Sequence, residues 1–291
     1  MHPRAHDQHA LRLAVILTAA LFLIELVGGY LTNSLALLAD AAHMFADVAA
    51  LLLAFWALWI STRPASDTKT FGYYRVEILA AFINGLFLWL VVFYIGYEAW
   101  QRYHAPPIVK AGPMMVVAAV GLVVNVVCAR LLQPHDDSSL NLRGAFLHVL
   151  SDLLGSVGAL AAGAVMLTTG WYVADPLISA GIGVLIIGSS WGLIRDAVDV
   201  LMEAVPAHVD LDALRRALND VPGTLEVHDL HVWTLTTGRE ALSAHAVIDG
   251  GADHDGVLDA MQRVSAERFH IDHVTIQIER VNRKEFEPVH F

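Results

Sequence analysis

The stretch "LLADAAHMFADVAALLL" (residues 37–53) sets Asp40, His43 and Asp47 inside an otherwise apolar run. Three ionisable groups are costly in a segment long enough to cross a bilayer, at about 2.5–3.5 kcal/mol each near its centre by insertion scales. Their spacing is helical. At i, i+3 and i+7 they form one stripe. The pattern recurs in "GAFLHVLSDLLGSVGAL" (144–160), where His148 and Asp152 are four residues apart. Two separate apolar segments therefore each present His-x-x-x-Asp.

Outward from these stretches the whole chain reads as membrane-embedded. Of its 291 residues 56% are hydrophobic and 16% charged, and the mean hydropathy is +0.54. A soluble domain needs more polar surface than that. With about 20 apolar residues per crossing, six spans are predicted, near 11–31, 35–60, 76–102, 112–132, 143–169 and 176–201. The opening apolar run exceeds a signal-peptide core and lacks a small-residue cleavage site, so it is expected to be a retained first span. Arg4, Arg12, Arg63, Lys69, Arg75, Arg130 and Arg143 flank one side of the predicted bundle, against Arg102 and Lys110 on the other. Both termini are thus expected to be cytoplasmic. The lone cysteine, Cys128, cannot form an intrachain disulfide and reads as a small buried hydrophobe.

Charge is uneven. Residues 205–291 carry 15 acidic and 8 basic groups, which marks a soluble, acidic domain with no nucleic-acid signature. Within it "VDLDALRRALNDVPG" has helical periodicity, "LEVHDLHVWTL" and "ALSAHAVI" read as strands of a hairpin turned at "TTGRE", and "DGVLDAMQRVSAERF" and "HVTIQIERV" read as a helix and a strand. The expected organisation is a His-containing N-terminus (1–10), a six-helix transmembrane bundle (11–204) and a cytoplasmic αββαβ domain (205–291) of ferredoxin or metallochaperone-like type.

If the two stripes face each other, two imidazole nitrogens and two carboxylate oxygens converge. That donor set suits a tetrahedral Zn²⁺ ion, and the carboxylates offset its charge in low dielectric. Ala41, Ala42, Ala46, Gly144 and Gly155 permit the close helix approach that convergence requires. Two other readings use the same residues: hydrogen-bonded polar pairs within each helix, and a proton relay without metal. Glu25 and Asn125 are read as pathway-lining or helix-contact groups. Asp175, before Pro176, is read as a cap on the sixth span. Glu77 and Glu98, near span ends, are read as solvated or paired.

Taken together, "SLALLADAAHMFAD" (34–47), "TFGYYRVEILAA" (70–81), "GAFLHVLSDLLGSVG" (144–158) and "HDLHVWTLT" (228–236) resemble the cation diffusion facilitators, in particular their bacterial cobalt–zinc–cadmium resistance branch. The resemblance covers nearly the whole chain. It implies a homodimeric prokaryotic plasma-membrane antiporter that moves Zn²⁺, and often Cd²⁺ or Co²⁺, out of the cytoplasm against protons by alternating access. His43, Asp47, His148 and Asp152 match the family's transport-site positions and would carry both metal and protons, with Asp40 supporting them. In the tail, His228, His245 and Glu279 match its cytoplasmic zinc site. Strand alternation puts Val274, Ile276 and Ile278 on one face and Glu279 on the other. His231, His254, His270 and His273 are spare candidates that read as exposed histidines, and His2, His6 and His9 are read either as completing a cytosolic site from a neighbouring chain, as in some relatives, or as a solvated tail. A loop site of the family is not expected here, since no histidine follows Asp67, and His135, Asp136 and Asp137 read as a solvated turn.

The leading expectation is a proton-coupled zinc exporter with a metal-binding, dimerising tail. Two other classes compete with it: a metal-sensing regulatory membrane protein without net transport, and a proton-coupled antiporter of an organic solute. An enzyme is not expected, because no nucleophile–base pair, phosphate loop or open zinc-water signature stands out.

Overall fold

A computed structural model describes residues 3–133, 140–236 and 238–281, with side chains from residue 13 onward in the first helix and at 146 and from 148 onward in the fifth. Its elements are α1 (Pro3–Thr32), α2 (Leu35–Ser61), α3 (Arg75–His104), α4 (Ala111–Leu131), α5 (Leu140–Thr169), α6 (Ala174–Leu201), α7 (Leu211–Asn219), β1 (Thr224–Thr236), β2 (Arg239–Ile248), α8 (His254–Phe269) and β3 (His273–Glu279). The first six helices are long and apolar enough to cross a membrane. Helices suit these segments because a backbone in hydrocarbon must satisfy its own hydrogen bonds. The predicted spans match to within a few residues except at two N-termini. There α1 begins at Pro3 and α5 at Leu140, so polar ends extend both helices beyond their apolar cores.

The chain divides into two compact units, Met1–Leu53 with Ile83–Gly192, and Ala54–Phe82 with Leu193–Phe291. In the first unit a core of Leu37, Leu88, Val92, Met114, Ala118, Ala159, Ala162, Met166, Ile182 and Ile186 joins α2, α3, α4, α5 and α6. Large apolar groups such as Leu51, Leu52, Phe93 and Tyr94 point outward and are exposed, as lipid-facing positions are. Close crossings rest on glycine. A Cβ at Gly28 of α1 would stand 2.8 Å from both γ-methyls of Val117 on α4.

One expectation for this unit fails. Asp175 does not cap its own helix, because α6 begins one residue earlier, at Ala174. Its carboxylate instead reaches the start of α2. It accepts from Ser34 Oγ (2.6 Å), the Leu35 N–H (2.7 Å) and the Ala36 N–H (3.3 Å), and is fully buried in doing so. The dipeptide Asp-Pro marks a helix start but says nothing of which helix's orphan N–H groups the acid serves.

In the second unit three strands form one sheet in the order β1-β2-β3. β1 and β2 are antiparallel, turning between Thr236 and Arg239, and β3 runs parallel to β2. A parallel neighbour needs a crossover, and α8 supplies it. Leu214 and Leu218 of α7 and Val257 and Met261 of α8 pack with Val227, Val232, Leu242, Ala244 and Ile248 over one sheet face. The αββαβ order is therefore present. Asp210 starts α7 by accepting from the Ala213 N–H (3.0 Å). The hairpin end of this sheet touches the start of α3, where Thr236 Oγ1 donates to Glu77 Oε2 (2.9 Å) and Arg239 donates to Tyr74 Oη (2.9 Å). Arg75 pairs with Glu203 at 2.7 Å.

Candidate metal centre

In the first unit α2 and α5 bring their polar stripes together. His43 Nε2 lies 3.7 Å from Asp47 Oδ2 and 3.9 Å from Asp152 Oδ1, while His148 Nε2 lies 3.2 Å from Asp47 Oδ2 and 3.7 Å from Asp152 Oδ2. The two imidazoles are 5.5 Å apart between ring centroids. Donors bound to one tetrahedral ion at about 2.0–2.1 Å stand about 3.3–3.4 Å from one another. These four imidazole–carboxylate separations lie within about 0.6 Å of that spacing, and Asp152, which stands outside the tightest group, would have to move inward for all four to close on a single ion. The tightest group is His43, Asp47 and His148, whose donor atoms all lie within 4.8 Å of one another.

The chemistry of the pocket points the same way. Among the described residues His43 Nδ1 is buried with no hydrogen bond, and the buried Asp47 Oδ2 and Asp152 Oδ1 face only the imidazoles of the cluster. A buried polar atom left without a hydrogen bond costs about 1–3 kcal/mol. The set is graded in exposure, from 5% for the Asp152 side chain through 14% for His43 and 33% for Asp47 to 41% for His148. The donors can thus be reached from one side and are closed off at Asp152.

Behind the donors sits a polar seam. Asp40, one turn before His43, is buried against α5, where a Cβ at Gly155 would lie 3.2 Å from its Oδ1. Glu25 of α1 is 1% exposed, neighbours Asp40, and packs over Gly121 of α4. Asn125 Nδ2 donates to Ser156 Oγ at 3.2 Å, tying α4 to α5. Both Glu25 and Asn125 thus occupy helix contacts. Ser156 escaped the sequence reading although it follows Asp152 by four residues on the same stripe. Ser34, which holds Asp175, was signalled only by its place before the apolar run that becomes α2.

In the second unit β1, β2 and β3 assemble a separate group. His228 and His245 are cross-strand partners with ring centroids 5.3 Å apart. Glu279 Oε1 is 3.3 Å from His245 Nδ1 and its Oε2 is 3.9 Å from His228 Nε2. The donor atoms of these three side chains lie within 4.8 Å of one another. Glu279 is 4% exposed, yet it lies on the sheet face opposite Ile276 and Ile278, which pack on the core. Its Oε1 also accepts from Gln277 Nε2 (2.8 Å). An irregularity in β1 between His228 and His231 holds Asp229 at φ +50°. Asp229 pairs with His231 at 3.0 Å and stands 3.9 Å from His245 Nε2.

Of the spare histidines His231 thus stands beside this group, and the other three lie elsewhere. His254 pairs with Asp255, His270 ends α8 in the left-handed region, and His273 packs edge-on against Phe71. Asp67 is exposed in the turn bridged by Ser66 and Lys69. Glu98 pairs with Arg102 at 2.9 Å, and Cys128 is fully buried among Ala14, Leu132 and Val149. The side chains of His2, His6 and His9 and the segment with His135, Asp136 and Asp137 lie outside the described residues.

Comparison with known proteins agrees with this architecture. The cation efflux transmembrane domain matches residues 11–202, and the cytoplasmic domain of cation efflux proteins matches 206–281. The chain is 43% identical over 279 residues to the cation efflux system protein CzcD of Alcaligenes sp. (strain CT14), covering 96% of this chain and 88% of that one. It is 40% identical to the cadmium, cobalt and zinc/H(+)-K(+) antiporter of Bacillus subtilis (strain 168), covering 96% and 91%. It is equally 40% identical to the zinc transporter ZitB of Escherichia coli (strain K12), with the same coverage. Two domain matches that together span nearly the whole chain, and relatives at this identity over their length, place it by descent: this chain belongs to the cation efflux, or cation diffusion facilitator, family, in its cobalt–zinc–cadmium branch.

Proposed function

We propose that this protein exports Zn²⁺, and related ions such as Cd²⁺ and Co²⁺, from the cytoplasm of a prokaryotic cell across its inner membrane in exchange for protons. The observation that carries the reading is the cluster of His43, Asp47, His148 and Asp152 on two membrane helices, with imidazole–carboxylate separations of 3.2–3.9 Å. Metal is the substrate there. Imidazole and carboxylate must be free of protons to ligate it, so one set of atoms serves both ions and exchange follows from competition. Asp40 and Gly155 hold the backs of α2 and α5 against each other. Exposure of one side of the cluster to its surroundings at a time converts competition into alternating access.

The division of labour proposed is a membrane domain (11–204) and a cytoplasmic domain (205–291) that binds zinc through His228, His245 and Glu279 and joins two chains into a homodimer, with both termini in the cytoplasm. Three donors leave a tetrahedral ion one position for water or a further side chain. The family assignment and the zinc, cadmium and cobalt named for its relatives support this reading.

The test is zinc accumulation by everted membrane vesicles containing the protein. Respiration acidifies their interior, and uptake should follow. It should vanish when the pH gradient is collapsed and in Asp152→Ala. Uptake that ignores the gradient, or that survives Asp152→Ala, contradicts the proposal.

A further inference from the structure

The start of α2 is bound more tightly than a helix end requires. Ser34 caps it by accepting from the Leu37 N–H (3.3 Å), and the same hydroxyl donates to Asp175 Oδ1. The Asp175 carboxylate takes two further first-turn donors, the N–H groups of Leu35 and Ala36. Such charge-assisted bonds are roughly twice as strong as neutral ones, and an acid at a helix N-terminus also meets the positive end of its dipole. The turn before Ser34 is held as well. Arg102 of α3 donates to Asn33 O (2.8 Å) and Asn33 Oδ1 (3.3 Å), and the Lys110 N–H before α4 donates to Thr32 O (3.0 Å), while Asn33 sits at φ +59°.

The inner face of α2 gives a reason for so firm an anchor. On the side of His43 it carries Ala36, Ala39 and Ala46, all at 0% exposure, with Leu37 and Met44 buried beside them. Small residues let the helix pack closely and leave few ridges beside the donors to fix its register. The bonds at its N-terminus fix that register directly. From Leu35 to His43 the helix rises about 12 Å without interruption, so a shift at the cap is carried directly to the metal donors.

We propose that Asp175 is a positioning residue for the membrane metal site, clamping the α2 N-terminus so that His43 and Asp47 stand opposite His148 and Asp152. The inference rests on those four side chains being the transport ligands. Asp175 touches none of them and acts only through α2.

The experiment compares parent, Asp175→Asn, Asp175→Glu, Ser34→Ala and Asp152→Ala as full-length protein in proteoliposomes. It reads the zinc KM and maximal rate, the Zn²⁺/Cd²⁺ preference and the thermal midpoint. Asp175→Asn keeps the size of the side chain but turns an amide toward N–H donors. It should raise the zinc KM about tenfold, the lower end of the effect of losing a group that orients a metal ligand, and should change the Zn²⁺/Cd²⁺ ratio. Ser34→Ala, which leaves both backbone bonds to Asp175, should shift KM in the same direction but less. Asp175→Glu, which restores the charge, should recover part of the loss. A lowered thermal midpoint with KM and metal preference unchanged would overturn the inference. So would an unchanged KM in Ser34→Ala if Asp175→Asn fails to fold. Parent-like flux in Asp152→Ala would instead overturn the ligand assignment, and this inference with it. An inactive Asp152→Ala beside a parent-like Asp175→Asn overturns the inference alone.

Discussion

His43 stands between two carboxylates, 3.7 Å from one and 3.9 Å from the other, and among the described residues its second nitrogen is buried without a hydrogen bond. As one of the two nitrogen donors of the candidate set it bears directly on metal preference. His43→Asp would convert an N₂O₂ set into NO₃, which favours ions that accept harder oxygen ligands. Zinc selectivity over Co²⁺ and Mn²⁺ in competition uptake should narrow several-fold. An unchanged profile would remove His43 as a selectivity element. At this scale the sequence was most informative about which polar groups gather between α2 and α5, because an ionisable group in an apolar span is expensive and two pairs at helical spacing stand out against that cost. It was least informative where a side chain serves a distant segment. Nothing local tells that Asp175 is bonded to Ser34, 141 residues away. Ser156 and Asn125 become partners only once α4 and α5 are packed.

Among the elements, the spans were legible from length and hydropathy alone, and the αββαβ order from period and turn residues. Their ends were not, since helical hydrogen bonding continues into polar sequence at Pro3 and Leu140, where no apolar signal marks it. Crossing points were equally hidden, because glycine in a span signals a close approach without naming the partner. Gly28 illustrates the consequence. A methyl there would meet both γ-methyls of Val117 at 2.8 Å, and a β-branched side chain has little freedom to turn away. Gly28→Ala should therefore lower stability by about 1–3 kcal/mol, as overpacking does, and depress the thermal midpoint of the purified protein. Gly96→Ala, where added bulk meets nothing within 4 Å among the described residues, should leave the midpoint unchanged or raise it slightly. Equal effects of the two substitutions would show that the α1–α4 crossing is not the close contact described.

For the molecule as a whole, each of the two compact units holds one candidate metal group, and the two groups draw on different residues. They should be separable. Each chain should bind zinc at both groups, Asp152→Ala should lose only the membrane ion, and His245→Ala only the cytoplasmic one, as read by equilibrium dialysis of the detergent-purified protein. Simultaneous loss of both ions from either variant would contradict independent sites. In the proposed exchange one cluster of imidazole and carboxylate groups carries metal one way and protons the other. Zinc and proton movements recorded together in proteoliposomes of the purified protein, with no other driving force than an imposed zinc gradient, test it. Proton flux opposite in direction to zinc, appearing with it and absent from Asp152→Ala, is the predicted result. Zinc movement by the parent without counter-moving protons would contradict exchange at a shared site.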